Sequence, residues 1–130
     1  MNLELSGVRD AGDIERERVV MTAAADVDVG DYAIFNCELG KTGKVLAGNV
    51  RDVYWFMNKK IKKGDLVILY SKKGASGEKN NDDGTKSHFF YWRDTHPIWT
   101  PGRVPVLVET PVWKRGDVIN EPTDPPAPTP

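Results

Sequence analysis

Cys37, His88 and His96 are the residues whose side chains could supply a nucleophile and a base. A catalytic thiol needs an adjacent base to activate it, and the spacing of these three residues does not predict such a pair. Two histidines and one cysteine are also too few for a closed structural zinc site without carboxylate ligands. The sequence therefore predicts no catalytic residue, no metal site and no cofactor, and we expect a protein that is not an enzyme.

Two groups of carboxylates could carry acid-base or metal chemistry. Residues 80–84 read Asn-Asn-Asp-Asp-Gly, but they lack the alternating acidic ligands of a calcium-binding loop. Their Asp-Gly pair instead favours a tight turn. Glu15 and Glu17 alternate with two arginines, which indicates charge pairing or an exposed strand edge rather than an acid-base pair.

A basic cluster lies on both sides of the most apolar stretch of the chain. Lysines at such positions are typical of solvated turns and protected sheet edges, and they could also form an anion or nucleic-acid site beside stacking aromatic rings. The chain has 18 basic and 19 acidic side chains, so a nucleic-acid contact would have to rest on this local cluster. The lysines of this predicted anion-binding cluster are Lys59, Lys60, Lys62, Lys63, Lys72 and Lys73.

Four consecutive aromatic residues, Phe89, Phe90, Tyr91 and Trp92, form the most unusual segment. Side chains of a strand alternate between its two faces, so at least two of these rings must point away from a single core. We predict that they form, together with Trp99, an exposed aromatic surface that a partner covers. Two alternatives stay open: both faces are covered, or the outward rings are exposed and unused.

Short β-type segments separated by Gly, Pro, Asn and Asp run through most of the chain. The continuous apolar run at residues 66–70 predicts a central strand with buried aliphatic side chains. Helical character is confined to residues 14–18, too few to stand alone, and to residues 50–63. Six to eight short strands at this spacing predict an all-β domain, either a β-sandwich or a small barrel.

Length and composition indicate one domain over residues 1–118, followed by a Pro-rich tail at residues 119–130. The tail has almost nothing to bury, so we expect it to be disordered and to pack on nothing. No apolar run is long enough to span a membrane, and the first residues lack the features of a signal peptide. With a single cysteine, we expect a cytoplasmic protein, although a secreted origin stays open.

The order of these segments resembles the lamin tail domain, an immunoglobulin-like β-sandwich, over residues 15–118. The resemblance rests on a Gly-Asp-Tyr turn, an aromatic-rich segment before an apolar-Lys-Lys-Gly turn, a strongly apolar strand, and a Trp followed by a Gly-bearing turn and a last apolar strand. In this chain those features are residues 30–32, 53–56, 61–65, 66–70, 99–102 and 104–108.

The resemblance implies an immunoglobulin-like fold and no common catalytic residues. It also implies a binding or structural module that contacts a macromolecular partner, either another protein or a second copy, through aromatic loops and sheet edges. The alternative, from the lysines and aromatic residues themselves, is a β-barrel that binds a small ligand or a nucleic acid. We expect no membrane partner.

Overall fold

The computed structural model describes residues 1–119 of the 130, and the regular secondary structure in that range is almost all β-strand. A single 3-10 turn, Val29–Asp31, is its one helical element. The ten strands of the described residues are β1 (Leu3–Arg9), β2 (Arg18–Ala23), β3 (Val27–Asp28), β4 (Tyr32–Leu39), β5 (Val45–Trp55), β6 (Lys60–Ile61), β7 (Leu66–Tyr70), β8 (Gly77–Asn80), β9 (Lys86–Tyr91) and β10 (Arg103–Glu109).

The strands form two main sheets and one small ribbon. A five-stranded sheet has the order β1-β2-β7-β9-β8, a three-stranded sheet has the order β10-β4-β5, and β3 pairs with β6. All neighbours are antiparallel except β7 and β9, which run parallel. The inner faces of the two main sheets share one hydrophobic core, so the prediction of an all-β sandwich is confirmed.

The core follows from alternation along each strand. Val19 and Met21 of β2 point inward from the five-stranded sheet, and Ile34 of β4 faces them from the three-stranded sheet. All three side chains are fully buried. Burying such aliphatic groups stabilises the folded state by about 1.5–3 kcal/mol for each side chain.

Strand β7 is the predicted central strand, and it lies third of five in its sheet. Val67 and Leu69 are buried in the core. The alternate residues Leu66, Ile68 and Tyr70 are only half-buried, because the outer face of this sheet is only partly covered.

Ten strands exceed the six to eight that the sequence predicts. Residues 77–80 read as part of a polar loop, yet they form edge strand β8 because the Asp-Gly turn folds them back onto β9. Gly84 in that turn has φ of +86°, a conformation that favours glycine. Residues 50–55 begin the segment 50–63, for which the sequence predicts some helical character. They belong to β5 instead, because their aromatic and β-branched side chains favour a strand and they pair with β4.

The last strand, β10, ends at Glu109, and residues 110–119 follow it without regular structure. Most of the predicted Pro-rich tail, from residue 120 onward, lies outside the described residues. Over residues 1–119 the structure contains no helix of sufficient length and apolarity to cross a membrane.

Phe89 and Phe90 provide a matched test of this architecture, because one ring faces outward and the other lies in the core. We expect Phe90→Ala to lower the free energy of unfolding by about 3–5 kcal/mol and Phe89→Ala to lower it by clearly less. Urea denaturation of the two variants measures both values. Equal losses would contradict the assignment of faces in β9.

Candidate functional site

The predicted aromatic partner surface is divided between the core and the outside of the molecule. Phe90 and Trp99 are only 1% and 3% exposed. Phe90 meets Phe56 edge to face with ring centroids 5.0 Å apart, and Trp99 meets Trp92 in the same manner at 5.9 Å. The prediction of an exposed surface is therefore wrong for Phe90 and Trp99, since both rings fill the space between the sheets.

The other three rings of the predicted aromatic surface, Phe89, Tyr91 and Trp92, are half-buried. Phe89 and Tyr91 lie on the outer face of the five-stranded sheet, where Tyr91 stacks on Tyr70 with centroids 5.6 Å apart. Gly74 lies against Tyr91 so closely that a Cβ atom there would be 2.3 Å from the ring. Trp92 packs against the edge of the core. This face therefore leaves little aromatic surface free, and a partner role for Phe89, Tyr91 and Trp92 stays a prediction.

The lysine cluster is partly neutralised, and its role in anion binding stays a prediction. Half of its members already contact a carboxylate, which neutralises their charge locally. Within residues 1–119, Lys62, Lys63 and Lys73 have no carboxylate at ion-pair distance. The paired lysines are Lys59 with Glu78 at 3.1 Å, Lys60 with Asp28 at 3.6 Å and Lys72 with Glu15 at 3.9 Å.

The exposed aromatic surface lies instead on the outer face of the three-stranded sheet. Val53 and Trp55 of β5 are 51% and 47% exposed, and Trp113, beyond β10, is 65% exposed. The two tryptophan rings meet edge to face with centroids 5.2 Å apart. With Phe35 and Val112 they line a groove of about 390 Å³. These five residues are called the Trp55 patch below.

The Trp55 ring is held in place by a hydrogen bond and by a tightly built turn. Its indole Nε1 donates to the carbonyl oxygen of Gly30 at 3.1 Å. Glycine at residue 30 permits a close approach of two backbone segments, because a Cβ atom there would lie 2.8 Å from the Cα atom of Asn58. The Asp28 carboxylate accepts the backbone N–H groups of Gly30 and Lys59 at 2.8 and 3.0 Å, which joins the two chain segments beneath the ring.

The ionised state of Asp28 matters for that turn. Burial raises the pKa of Asp28, but the hydrogen bonds from the backbone of Gly30 and Lys59, together with the nearby Lys60 ammonium, outweigh it. The pKa of Asp28 therefore lies below its ordinary value. The carboxylate is therefore an acceptor at neutral pH, and it holds together the turn beneath Trp55.

Alternation is the signal in the sequence that could have located the Trp55 patch. Tyr54 and Phe56 point into the sandwich, where they meet edge to face at 5.0 Å. Trp55 between them must then point outward. The same rule is the basis for the prediction at residues 89–92. Alternation alone does not show whether the outer face of β9 or that of β5 is covered.

Asp65 and His88 form a buried pair of ionisable side chains. His88 Nε2 lies 2.8 Å from Asp65 Oδ2, and the same carboxylate accepts the backbone N–H groups of Lys86 and Lys62 at 3.0 and 3.2 Å. Burial raises the pKa of Asp65, but the hydrogen bonds from His88 and the two backbone groups outweigh it and place this pKa below its ordinary value. The pair fixes the start of β9 against β7.

The sequence predicts that Glu17 takes part in charge pairing or lies at an exposed strand edge, but its carboxylate is fully buried. The structure corrects this, because Glu17 accepts hydrogen bonds from the backbone N–H groups of Gly12 and Ile98, both at 2.8 Å. The Ser71 hydroxyl and the backbone N–H group of Trp99 also donate to this carboxylate. Residues 14–17 are a turn rather than a strand, and that turn directs the carboxylate inward.

The residues that could supply a nucleophile and a base are far from forming a site. Cys37 is buried in β4 of the three-stranded sheet, His88 lies in β9 of the other sheet, and His96 is exposed in the loop after β9. Within residues 1–119 no three histidine, cysteine or acidic side chains are arranged to hold a metal ion.

Comparison with known proteins found no matching family model, no matching curated protein and no matching solved structure.

Removing the acceptor capacity of Glu17 tests its role as a structural anchor. In Glu17→Gln one acceptor oxygen becomes a donor that faces other donors, so we expect a loss of about 2–4 kcal/mol in the free energy of unfolding. Glu15→Gln, at an exposed position two residues away, should change it by less than about 0.5 kcal/mol. Urea denaturation measures both, and similar values for the two variants would contradict the anchor role.

The pH dependence of stability tests the Asp65–His88 pair. Because the folded-state pKa of Asp65 lies below the ordinary value of 3.8, its ionised form stabilises the fold fully above that pH. This contribution is lost as pH falls through the folded-state pKa. We expect the stability difference between the wild type and Asp65→Asn to be largest near neutral pH and to shrink below about pH 4. A difference that stays constant down to acid pH would exclude this linkage, and the exposed Asp82→Asn serves as the control.

Proposed function

We propose that this chain is a non-enzymatic module that binds a macromolecular partner through the Trp55 patch. The observation that carries the proposal is an ordered, half-exposed Trp55, held by the Gly30 carbonyl and by the Trp113 ring. Tryptophan is enriched among the residues that dominate binding energy at protein interfaces. A ring that is already fixed loses little conformational freedom when a partner covers it.

The size of the Trp55 patch supports the same proposal. The exposed fractions of Val53, Trp55, Val112 and Trp113 amount to roughly 400 Å² of apolar surface, on areas typical of these side chains. Contiguous apolar patches of about 300–600 Å² are the largest that ordinary monomers expose, and such patches often mark interaction sites.

We further propose that the sandwich is immunoglobulin-like and of the lamin tail type, as the order of motifs in the sequence implies. The apolar strand Leu66–Tyr70 at the centre of its sheet and the Gly-Asp-Tyr turn that leads into β4 support this proposal. The family analogy indicates a contact module, and the particular site follows from the Trp55 patch of this chain.

A nucleic-acid or small-ligand function is the second candidate, and one observation favours it. The Lys72 ammonium lies 5.2 Å from the centroid of Tyr70, which in turn stacks on Tyr91, so a cation adjoins a pair of stacked rings. Binding of single-stranded DNA at this place would weaken steeply with salt. Capture through the Trp55 patch would be far less sensitive to salt, because it buries apolar surface.

Selection from a random peptide display library tests the leading proposal without a known partner. We expect selected peptides to converge on apolar sequences, and Trp55→Ser to weaken their binding at least tenfold, about 1.4 kcal/mol. Tyr91→Ser, which alters an aromatic residue on the opposite sheet, should leave the affinity unchanged.

The two variants also define the result that would reject the proposal. Convergent peptides that bind Trp55→Ser as tightly as the wild type would exclude the Trp55 patch as the contact site. Salt-sensitive retention on single-stranded DNA that is lost in Tyr91→Ser would favour the second candidate instead.

A further inference from the structure

The segment that follows β10 brings the chain to the Trp55 patch. Strand β10 ends at Glu109 and is separated from edge strand β5 by β4. Four residues later, Trp113 meets Trp55 of β5 with ring centroids 5.2 Å apart. Residues 110–113 therefore cross the end of the three-stranded sheet from β10 to β5, and the chain leaves the fold beside the β5 edge.

Residues 114–119 lead away from the patch without packing on the sandwich. All six are exposed, and a Cβ atom at Gly116 would meet nothing within 4 Å. Nothing in the described part of the fold therefore prevents this stretch from reversing direction. The proline-rich residues 121–130 begin two positions later, and they read Glu-Pro-Thr-Asp-Pro-Pro-Ala-Pro-Thr-Pro.

The Trp55 patch has the lining of a groove that accepts proline. Its two indole rings stand edge to face with an interplanar angle of 88°, and Phe35, Val53 and Val112 complete the apolar lining. Domains that recognise proline-rich segments use aromatic-lined grooves of this kind. The polyproline II helix is already extended before it binds, so it loses little conformational entropy in such a groove.

Backbone donors at the border of the groove match a segment that offers mainly acceptors. The Phe56 N–H group donates to the Tyr32 carbonyl oxygen. The alternation of an antiparallel ladder therefore turns the N–H groups of Val53 and Trp55 away from β4, toward the edge of the sheet. Proline has no N–H group, so a proline-rich segment cannot extend the sheet as a regular strand, but its carbonyl oxygens can accept hydrogen bonds from these donors.

We propose that the proline-rich segment of this chain, residues 122–130, docks on the Trp55 patch in the polyproline II conformation. The inference rests on the proposed function, because the same patch is the binding surface, and it names the chemistry that the patch recognises. Residues 125–130 carry no charged side chain, so their docking removes no charge from water. Composition alone instead favours a tail that packs on nothing, and the two expectations lead to different measurements.

The short connection means that a weak contact is sufficient. Residues 114–121 can span about 26–29 Å when they are extended, which leaves room for a reversal toward the groove. A short flexible connection gives an effective concentration of roughly millimolar, so an intrinsic Kd near about 1 mM keeps a large share of the patches occupied. A partner then has to displace the tail, and its apparent affinity falls in proportion to the fraction of unoccupied patches.

A nitroxide spin label on the full chain tests the docking. Thr129→Cys provides the attachment site, because the single cysteine of the sequence, Cys37, is buried. The indole N–H signals of Trp55 and Trp113 should broaden strongly in nuclear magnetic resonance spectra, since docking brings the label to the patch. The indole signal of Trp99, which lies in the core, is the internal reference.

A matched control keeps the label and the connection but removes the polyproline II preference. In this serine-tail variant the broadening at the patch should fall to the level that the tether alone produces. Equal broadening of Trp55 with and without the substitutions would overturn the proposal. Broadening of Trp55 in isotope-labelled chains that are mixed with spin-labelled chains would also overturn it, because the tail would then dock on a neighbouring copy. The substitutions of the serine-tail variant are Pro125→Ser, Pro126→Ser and Pro128→Ser.

Peptides selected on the Trp55 patch separate this inference from the proposed function. If the tail occupies half of the patches, the serine-tail variant should bind such peptides about twofold more tightly than the wild type, and an occupancy of nine-tenths gives about tenfold. Peptides that depend on Trp55 but bind both chains equally would exclude the tail as occupant and retain the binding function. A docked tail without any such peptides would support this inference and reject an external partner.

Discussion

The buried carboxylate of Glu17 is the interaction on which the arrangement of this sandwich depends. Its oxygens accept hydrogen bonds from the turn before β2, from Ser71 at the end of β7, and from Ile98 and Trp99 in the connection between the two main sheets. A charged group removed from water is tolerated only when its hydrogen-bonding capacity is satisfied. These donors therefore have to stay where they are, and they place Trp99 in the core and fix the path of the chain toward β10.

The two outer faces of the sandwich differ in how far they are covered. The five-stranded sheet covers part of its own outer face: Tyr70 and Tyr91 stack on each other, Lys72 lies over Tyr70, and the backbone at Gly74 closes against Tyr91. The three-stranded sheet has only the short segment at residues 111–113 across one end. Its alternating valines and Trp55 consequently remain accessible, and a partner can bury more apolar surface there than on the other sheet.

The sequence predicts the fold class because it depends on local patterns: short β-type segments, turn residues and one uninterrupted apolar run at Leu66–Tyr70. It predicts the strand edges and the site less well, because these depend on which segments become neighbours. The polar residues of β8 form a strand only through pairing with β9. Glu17 looks like a surface residue until the turn at residues 14–17 directs it inward. The four aromatic residues at 89–92 indicate that some rings face outward, but only the packing shows that Phe90 lies in the core and that Trp55 is the exposed ring.

The position of Trp55 also bears on why this sandwich keeps an exposed ring. Alternation requires residue 55 to point outward, since Tyr54 and Phe56 are needed inside, but it does not require a tryptophan there. A polar side chain would satisfy the strand equally well and would remove an apolar group from water. The hydrogen bond to Gly30, the carboxylate of Asp28 beneath that turn, and the edge-on contact with Trp113 instead hold the ring in one orientation. This support is what the proposed function requires, because a ring that is held in one orientation loses little conformational freedom when a partner covers it.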